Sequence, residues 1–325
     1  MKLFSYRQDG TVRAGVVIGD GALDLAVLEQ AGQHAGDDAF AEALHNTTAA
    51  PIRLIDFLSS GPRRKAELET VLARASTARS LSDALTSLDS IEFAIPTPGS
   101  SKILCVGRNY LEHINESNRE VPGAPVIFCR YENSLVAHKE AIERPVVSEE
   151  LDWEGELAAV IGSRCRYVSE KDALDVLAGY SIFNDGSVRD YQHHTVQWTP
   201  GKNFPASGSY GPYLVTPEAI PDPQALDLET WVNGASVQKA NTSAMIFSLR
   251  RLISYISQWT ELHPGDVIAT GTPAGIGAAR TPKWFLKAGD ELSISISGLG
   301  ILTNSVVDEV HEPDASAPSV PKTNR

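Results

Sequence analysis

The stretch Asp152-Trp153-Glu154-Gly155-Glu156-Leu157-Ala158-Ala159-Val160-Ile161-Gly162 begins acidic and ends as a continuous apolar run. A short run of this kind, closed by glycine, reads as a buried strand. Residues i and i+2 of a strand project from one face, so Glu154 and Glu156 point together, about 6–7 Å apart along the backbone. Two converging carboxylates repel each other unless a cation neutralises them. Ligands that are all oxygen suit Mg²⁺, Mn²⁺ or Ca²⁺ rather than zinc. The alternative is a solvated strand face at a sheet edge.

A second acidic position bears on that choice. The apolar run Leu177-Ala178-Gly179-Tyr180-Ser181-Ile182-Phe183 stops abruptly at Asn184-Asp185-Gly186, a turn signal. An aspartate at the end of a buried strand is a natural third ligand, although a turn or helix N-cap would use the same residue.

The remainder of the chain has the makeup of a soluble globular protein. It has 325 residues, 42% hydrophobic and 21% charged, enough for one large core with a smaller domain attached. No window approaches the roughly 20 apolar residues of a membrane span. The opening MKLFSYRQDGTVRAG lacks the apolar centre of a secretion signal, so a cytoplasmic location is expected and no membrane partner. Net charge is −13, with Lys and Arg scattered rather than striped, which argues against nucleic-acid binding. Cys105, Cys129 and Cys165 lack CxxC spacing and read as reduced core residues.

Alternating residues broken at glycines in KLFSYR and TVRAGVVIGDGALDLAVL predict two or three short antiparallel strands. Residues 37–90 are rich in Ala, Leu and Glu and read as helical. Proline and serine cluster at IPTPGSSK, residues 95–102, and set a boundary. The expected domains are a small N-terminal α+β unit over 1–98, the main unit over 99–310, and a disordered, polar, proline-containing tail over 311–325. In the main unit short β-rich runs dominate, and helical patterns are confined to a turn or two near Asn109–Asn118, SEKDALDVLAGY and SAMIFSLRRLISYISQWT. Strands do not alternate regularly with helices, so a doubly wound parallel sheet is disfavoured and an α+β class with curled antiparallel sheets fits. No internal repeat is visible.

A further constellation is Gly107-Arg108-Asn109-Tyr110-Leu111-Glu112-His113-Ile114-Asn115-Glu116. His113 and Glu116 share a face of a short helix, where a carboxylate can orient an imidazole as a general base. An exposed polar helix is the plainer alternative. His193 and His194 are neighbours that point apart and make poor joint ligands. The run from Thr270 to Gly277 is glycine-rich but has neither P-loop nor GxGxxG spacing.

Taken in order, WEGELAAVIG, YSIFNDGSVRDYQ, GKNFPASGSYGP, WVNGASVQKANTSAMIFSL and LHPGDVIATGTPAGIG resemble the fumarylacetoacetate hydrolase family, in particular its acylpyruvate hydrolase-like branch. The resemblance spans roughly residues 100–308. It implies a mixed β-roll or sandwich catalytic domain, a homodimer, and Mg²⁺ or Mn²⁺ (Ca²⁺ also admitted) held by Glu154, Glu156 and Asp185. It also implies that Lys202, for which a buried structural salt bridge is the alternative, and the His113–Glu116 pair are catalytic, the pair on a lid ordered by substrate. Tyr110, Gln192, Thr270 and Thr272 become substrate contacts, and Arg108 and Arg130 are candidates for distal substrate groups, with surface pairing as the equal alternative for either. Two departures stand out. Pro205-Ala206-Ser207-Gly208-Ser209 replaces an Asp-Thr-Phe-x-Pro step common in the family, and Arg130-Tyr131 replaces Lys-Pro.

The function this reading favours is hydrolytic C–C cleavage of an acylpyruvate-type keto acid, in catabolism of aromatic or sugar-derived compounds. Decarboxylation, hydration or isomerisation at the same metal is the alternative, and a non-catalytic metal-binding dimer the third.

Overall fold

The computed structural model describes residues 1–45, 49–78 and 81–310. The tail expected over 311–325 lies outside the described residues. The fold is the expected α+β class, with several sheets and few helices.

The acidic stretch becomes the strand Gly155–Ile161, every residue of it buried. It pairs antiparallel with Leu177–Asn184 on one side and with Val267–Ala269 on the other. The two faces of this strand feed different cores. Leu157, Ala159 and Ile161 pack with Ile182, Leu252, Ile253 and Ile294, whereas Ala158 and Val160 pack with Phe4, Leu28, Phe183 and Leu214. Strand parity therefore puts Glu156 on the side of Ala158 and Val160.

That strand is central in a 12-stranded sheet. Its spatial order is Thr86–Ser87, Gly21–Asp24, Thr11–Ile18, Lys2–Gln8, Gly208–Val215, Leu177–Asn184, Gly155–Ile161, Val267–Ala269, Ile103–Gly107 and Val126–Arg130, with two short strands off this path. The N-terminal meander has the expected antiparallel form. It also joins the main sheet, since Lys2 and Leu3 pair with Val215 and Leu214. Helices Leu25–Ala31 and Pro62–Ala75 pack against each other beside it. A second, 5-stranded sheet carries Ala235–Asn241, Asp227–Val232, Glu291–Ile296, Gly300–Asp308 and Ile142–Arg144.

Three local expectations are corrected. SEKDALDVLAGY forms only a 3-10 turn, Ala173–Val176, before the strand Leu177–Asn184 begins. That strand lies between two others and is almost wholly buried, so tertiary pairing overrides its helical spacing. In the last helical pattern, only Leu249–Trp259 is α-helix, started by the Ser248 hydroxyl accepting from Arg251 N. Leu249, Leu252, Ile253 and Ile256 form its buried stripe, each contributing about 1.5–3 kcal/mol of apolar burial. Finally, Cys105 is buried but Cys129 is exposed on the edge strand Val126–Arg130. Among the described residues no helix is long and apolar enough to cross a membrane.

Candidate metal centre and its cavity

Asp185 follows directly on Asn184, the residue paired with Gly155. The strand ends are then stitched together: Asp185 N donates to Glu154 O at 2.9 Å, and Glu154 N donates to Asn184 Oδ1 at 3.1 Å. This brings ligand oxygens of Glu154, Glu156 and Asp185 within 4.8 Å of one another, with all three residues buried. Gly155, between the two glutamates, has no room for a side chain, because a Cβ there would lie 2.3 Å from Thr230 Oγ1. Gly155→Ala is expected to lower the melting temperature and weaken metal binding together; a variant matching the parent in both would refute this packing argument.

Three buried cations surround the acids. Lys202 Nζ lies 2.8 Å from Glu154 Oε2 and 2.7 Å from Asp185 Oδ2. Arg189 reaches Glu154 Oε1 at 2.7 Å and Asp152 Oδ2 at 2.8 Å. Arg130 Nη1 contacts Asp185 Oδ1 at 2.7 Å. Burial works against the charge on Glu154, but Lys202 and Arg189 outweigh it and hold its pKa below the ordinary carboxylate range. Burial likewise opposes the Lys202 charge, and Asp185 with Glu154 prevails to raise its pKa.

Glu156 differs. Burial, then the charges of Asp185 and Glu154, push its pKa well above the ordinary value. Among the described residues no Lys or Arg pairs with it, and its Oε2 accepts only the amide of Gly271, at 2.8 Å. Three convergent oxygen donors, one of them without a cation, fit a hard divalent ion. Glu154, Glu156 and Asp185 are the residues that would hold it.

The trio opens through Glu154 and Glu156 into a cavity of about 310 Å³. Of the expected site residues, His113, Glu116, Lys202, Arg108, Gln192 and Thr272 line it. His113 Nδ1 and Glu116 Oε1 are 2.8 Å apart on the helix Leu111–Glu116, and Glu116 Oε2 accepts from Gly275 N at 2.9 Å. The helix expected as a lid is thus latched to the glycine-rich loop. The Gln192 amide oxygen accepts from Arg189 Nη1 at 2.8 Å. Thr272 Oγ1 donates to Gly155 O at 3.0 Å and accepts from Gln238 Nε2 at 2.8 Å, which ties this loop to the glutamate strand.

Three expected contacts sit elsewhere. Thr270 is fully buried and spends its hydroxyl on Leu157 O at 2.9 Å. Tyr110 is in the main core and does not line the cavity. Arg130, expected near distal substrate groups, is buried behind Asp185. It also donates to Ser207 Oγ at 2.9 Å, so the two sequence departures meet in space.

Sequence reasoning missed Arg189, which lines the cavity with its Nη2 buried and without a hydrogen-bond partner. It stands four residues after Asp185, inside a motif already singled out, and that spacing was the available signal. Asp152 was missed as well. It accepts from Gly277 N at 2.7 Å and Ala278 N at 2.9 Å while holding Arg189. Trp198 lines the wall, with the Arg108 guanidinium 5.4 Å from its ring centroid.

Comparison with known proteins agrees with this construction. Residues 102–307 match the family profile described as fumarylacetoacetate (FAA) hydrolase C-terminal. A mitochondrial oxaloacetate tautomerase of Xenopus laevis is 40% identical over 259 residues, 79% of each chain. The solved fumarylacetoacetate hydrolase of Exiguobacterium antarcticum superposes with a TM-score of 0.74 at 31% identity, covering 95% of this chain and 100% of that one. The maleylpyruvate hydrolase of Sphingobium sp. SYK-6, solved with manganese(II) and pyruvate, gives 0.71 at 28% identity, covering 95% and 99%. The motif order, the fold and these matches agree: the chain belongs to the fumarylacetoacetate hydrolase family.

Proposed function

We propose that this protein is a divalent-metal-dependent tautomerase of small 2-oxo dicarboxylic acids, oxaloacetate being the type substrate. The observation that carries the reading is the shared cavity. A proton-carrying pair, His113–Glu116, and a metal-binding trio open into one small space. Although the chain carries a net charge of −13, the same walls hold Arg108, Arg119 and Lys283. Local cations of this kind suit a substrate with a second carboxylate. The name of the Xenopus laevis relative supports the same assignment.

When bound, a divalent ion supplies Lewis-acid polarisation of the 2-oxo acid. The chain's residues do the remainder. Interconversion moves one proton between C3 and the C2 oxygen. His113, held through Nδ1 by Glu116, takes that proton from C3 and delivers it to the C2 oxygen, or the reverse. The unpartnered Arg189 Nη2 offers a donor to substrate oxygens, and Lys202, whose ammonium holds Glu154 and Asp185, adds positive charge beside them.

Hydrolysis of acylpyruvates is the second reading, favoured by the maleylpyruvate hydrolase neighbour. There His113 would take a proton from water, whose oxygen adds to the acyl carbonyl. The C–C bond then breaks, and the released pyruvate carbon is protonated. The test follows enol oxaloacetate by ultraviolet absorbance, with Mn²⁺ and with a chelator, beside pyruvate release from oxaloacetate and from acylpyruvates. Accelerated, chelator-sensitive loss of the enol without pyruvate is expected. Pyruvate from acylpyruvates alone would favour the hydrolase, and pyruvate from oxaloacetate a decarboxylase.

A further inference from the structure

We propose that Arg280, which does not line the cavity, is a positioning residue. It fixes the Gly275 loop to which Glu116 is latched, and through Glu116 it keeps the His113 imidazole aimed into the cavity. The inference rests on the reading of His113 as proton carrier and names what holds that carrier in place.

Gly275 joins the two halves of the device. Its amide donates to Glu116 Oε2 at 2.9 Å, and the other oxygen of that carboxylate meets His113 Nδ1 at 2.8 Å. Its carbonyl accepts from Arg280 Nη2 at 3.2 Å and from Trp153 Nε1 at 3.2 Å. The same Nη2 donates at 2.7 Å to Val237 O, on the strand Ala235–Asn241 of the second sheet. One NH₂ group therefore clamps the loop against that strand. The fit leaves no slack, since a Cβ on Gly275 would lie 2.1 Å from Val237 O. Its φ of +109° belongs to glycine in any case.

Arg280 is itself held from behind. Its guanidinium carbon lies 5.7 Å from the Trp153 ring centroid and 5.6 Å from that of Trp284, two indoles set edge to face at 5.4 Å. Among the described residues its side chain donates to those two carbonyls alone, and its Nε is buried without a partner. An orphaned buried donor is costly, so the guanidinium is spent on this clamp and not on neutralising an acid. A lysine keeps the charge but neither the planar fork nor the stacking. The loop has other anchors, because Gly277 N and Ala278 N rest on Asp152 at 2.7 Å and 2.9 Å. Removing Arg280 thus frees Gly275 without releasing the whole loop.

The experiment measures turnover of enol oxaloacetate with Mn²⁺ in Arg280→Met and Arg280→Lys, each alone and combined with His113→Ala. Mn²⁺ titration, melting curves and hydrogen exchange of metal-free protein run alongside. Misplacing a reacting group by about 1 Å can cost about 100-fold, so kcat in Arg280→Met is expected to fall roughly 10- to 100-fold, with KM and Mn²⁺ affinity within about 3-fold of the parent. Arg280→Lys should fall between. In the His113→Ala background the same substitution should cost less than about 3-fold, because residues that act as one unit do not add. The amides of Ile114 and Ser117, bonded within the latched helix, should exchange at least about 10-fold faster once the latch loosens. A merely structural role predicts a lower melting temperature with losses that multiply in the double variant, or with helix exchange that stays parental. Either result overturns the proposal. Should Arg280→Met fail to fold, Arg280→Lys decides by the same two readings. A parent protein that turns over no keto acid would refute the proposed function, and helix exchange would then decide this inference by itself.

Discussion

Glu156→Gln protein is expected to melt at a higher temperature than the parent in a chelating buffer and at a lower one in excess Mn²⁺. The crossover follows from the position of this carboxylate. Glu156 is 1% exposed, and burial, followed by Asp185 and Glu154, holds its pKa well above the ordinary value. In the unfolded chain the group titrates near ~4.3. A carboxyl whose pKa is raised by folding favours the fold fully below the unfolded value. It loses that contribution as pH rises through the folded value. At neutral pH, without a cation, folding must either keep a proton on Glu156 or bury its charge unbalanced, and either way this carboxyl opposes folding. Glutamine keeps the shape and an acceptor for the Gly271 amide without the charge, so the variant gains stability there and depends less on pH. Excess Mn²⁺ reverses the order. An ion at 100 times its dissociation constant stabilises the parent by about 2.7 kcal/mol, and a variant that has lost an anionic ligand forgoes most of it. Turnover should fall by more than the roughly 10- to 100-fold typical of outer-shell changes. Scanning calorimetry with and without chelator reads the result. A variant less stable than the parent in chelator would show that Glu156 is not a strained third charge.

Why Glu156 was visible in the sequence, and its surroundings were not, is a matter of range. The i, i+2 spacing of Glu154 and Glu156 and the turn at Asp185 are local patterns, and strand parity carries them into space. The three-residue step from His113 to Glu116 is likewise local and survives as a 2.8 Å contact. Arg130 and Asp185 are 55 residues apart, and no periodicity links them; only the sheet brings them together. Tyr110 and Thr270 stand beside functional residues in the chain, yet their side chains serve the core and the Leu157 carbonyl. Adjacency along a strand or loop says little about which face a residue takes. The helical spacing of residues 169–180 lost to pairing with strands on both sides. The pairing of Lys2 and Leu3 with Val215 and Leu214 has no local signal at all.

His113→Ala should lose about 10²–10⁴-fold in kcat while leaving Mn²⁺ affinity within a few-fold of the parent, because it removes the proton carrier and none of the trio. Glu116→Gln is the sharper test of how the pair works. The carboxylate accepts on both oxygens, from His113 Nδ1 at 2.8 Å and from Gly275 N at 2.9 Å. A glutamine has only one acceptor oxygen. If that oxygen serves the Gly275 amide, the NH₂ group faces Nδ1 and must donate to it. The imidazole is then forced into the tautomer whose proton sits on Nε2, and it can no longer take a proton from substrate. The same logic governs a catalytic histidine whose orienting carboxylate becomes an amide. Glu116→Gln should therefore approach His113→Ala in severity, although it deletes no catalytic atom and the latch to Gly275 can persist. A variant that kept near-parental kcat would mean that Glu116 only fastens the helix. Running both variants on enol oxaloacetate and on acylpyruvates adds a further distinction. Hydrolysis needs the base to activate water, so it should vanish in both. A reaction that persists on oxaloacetate alone would assign its proton transfer to Lys202 or solvent.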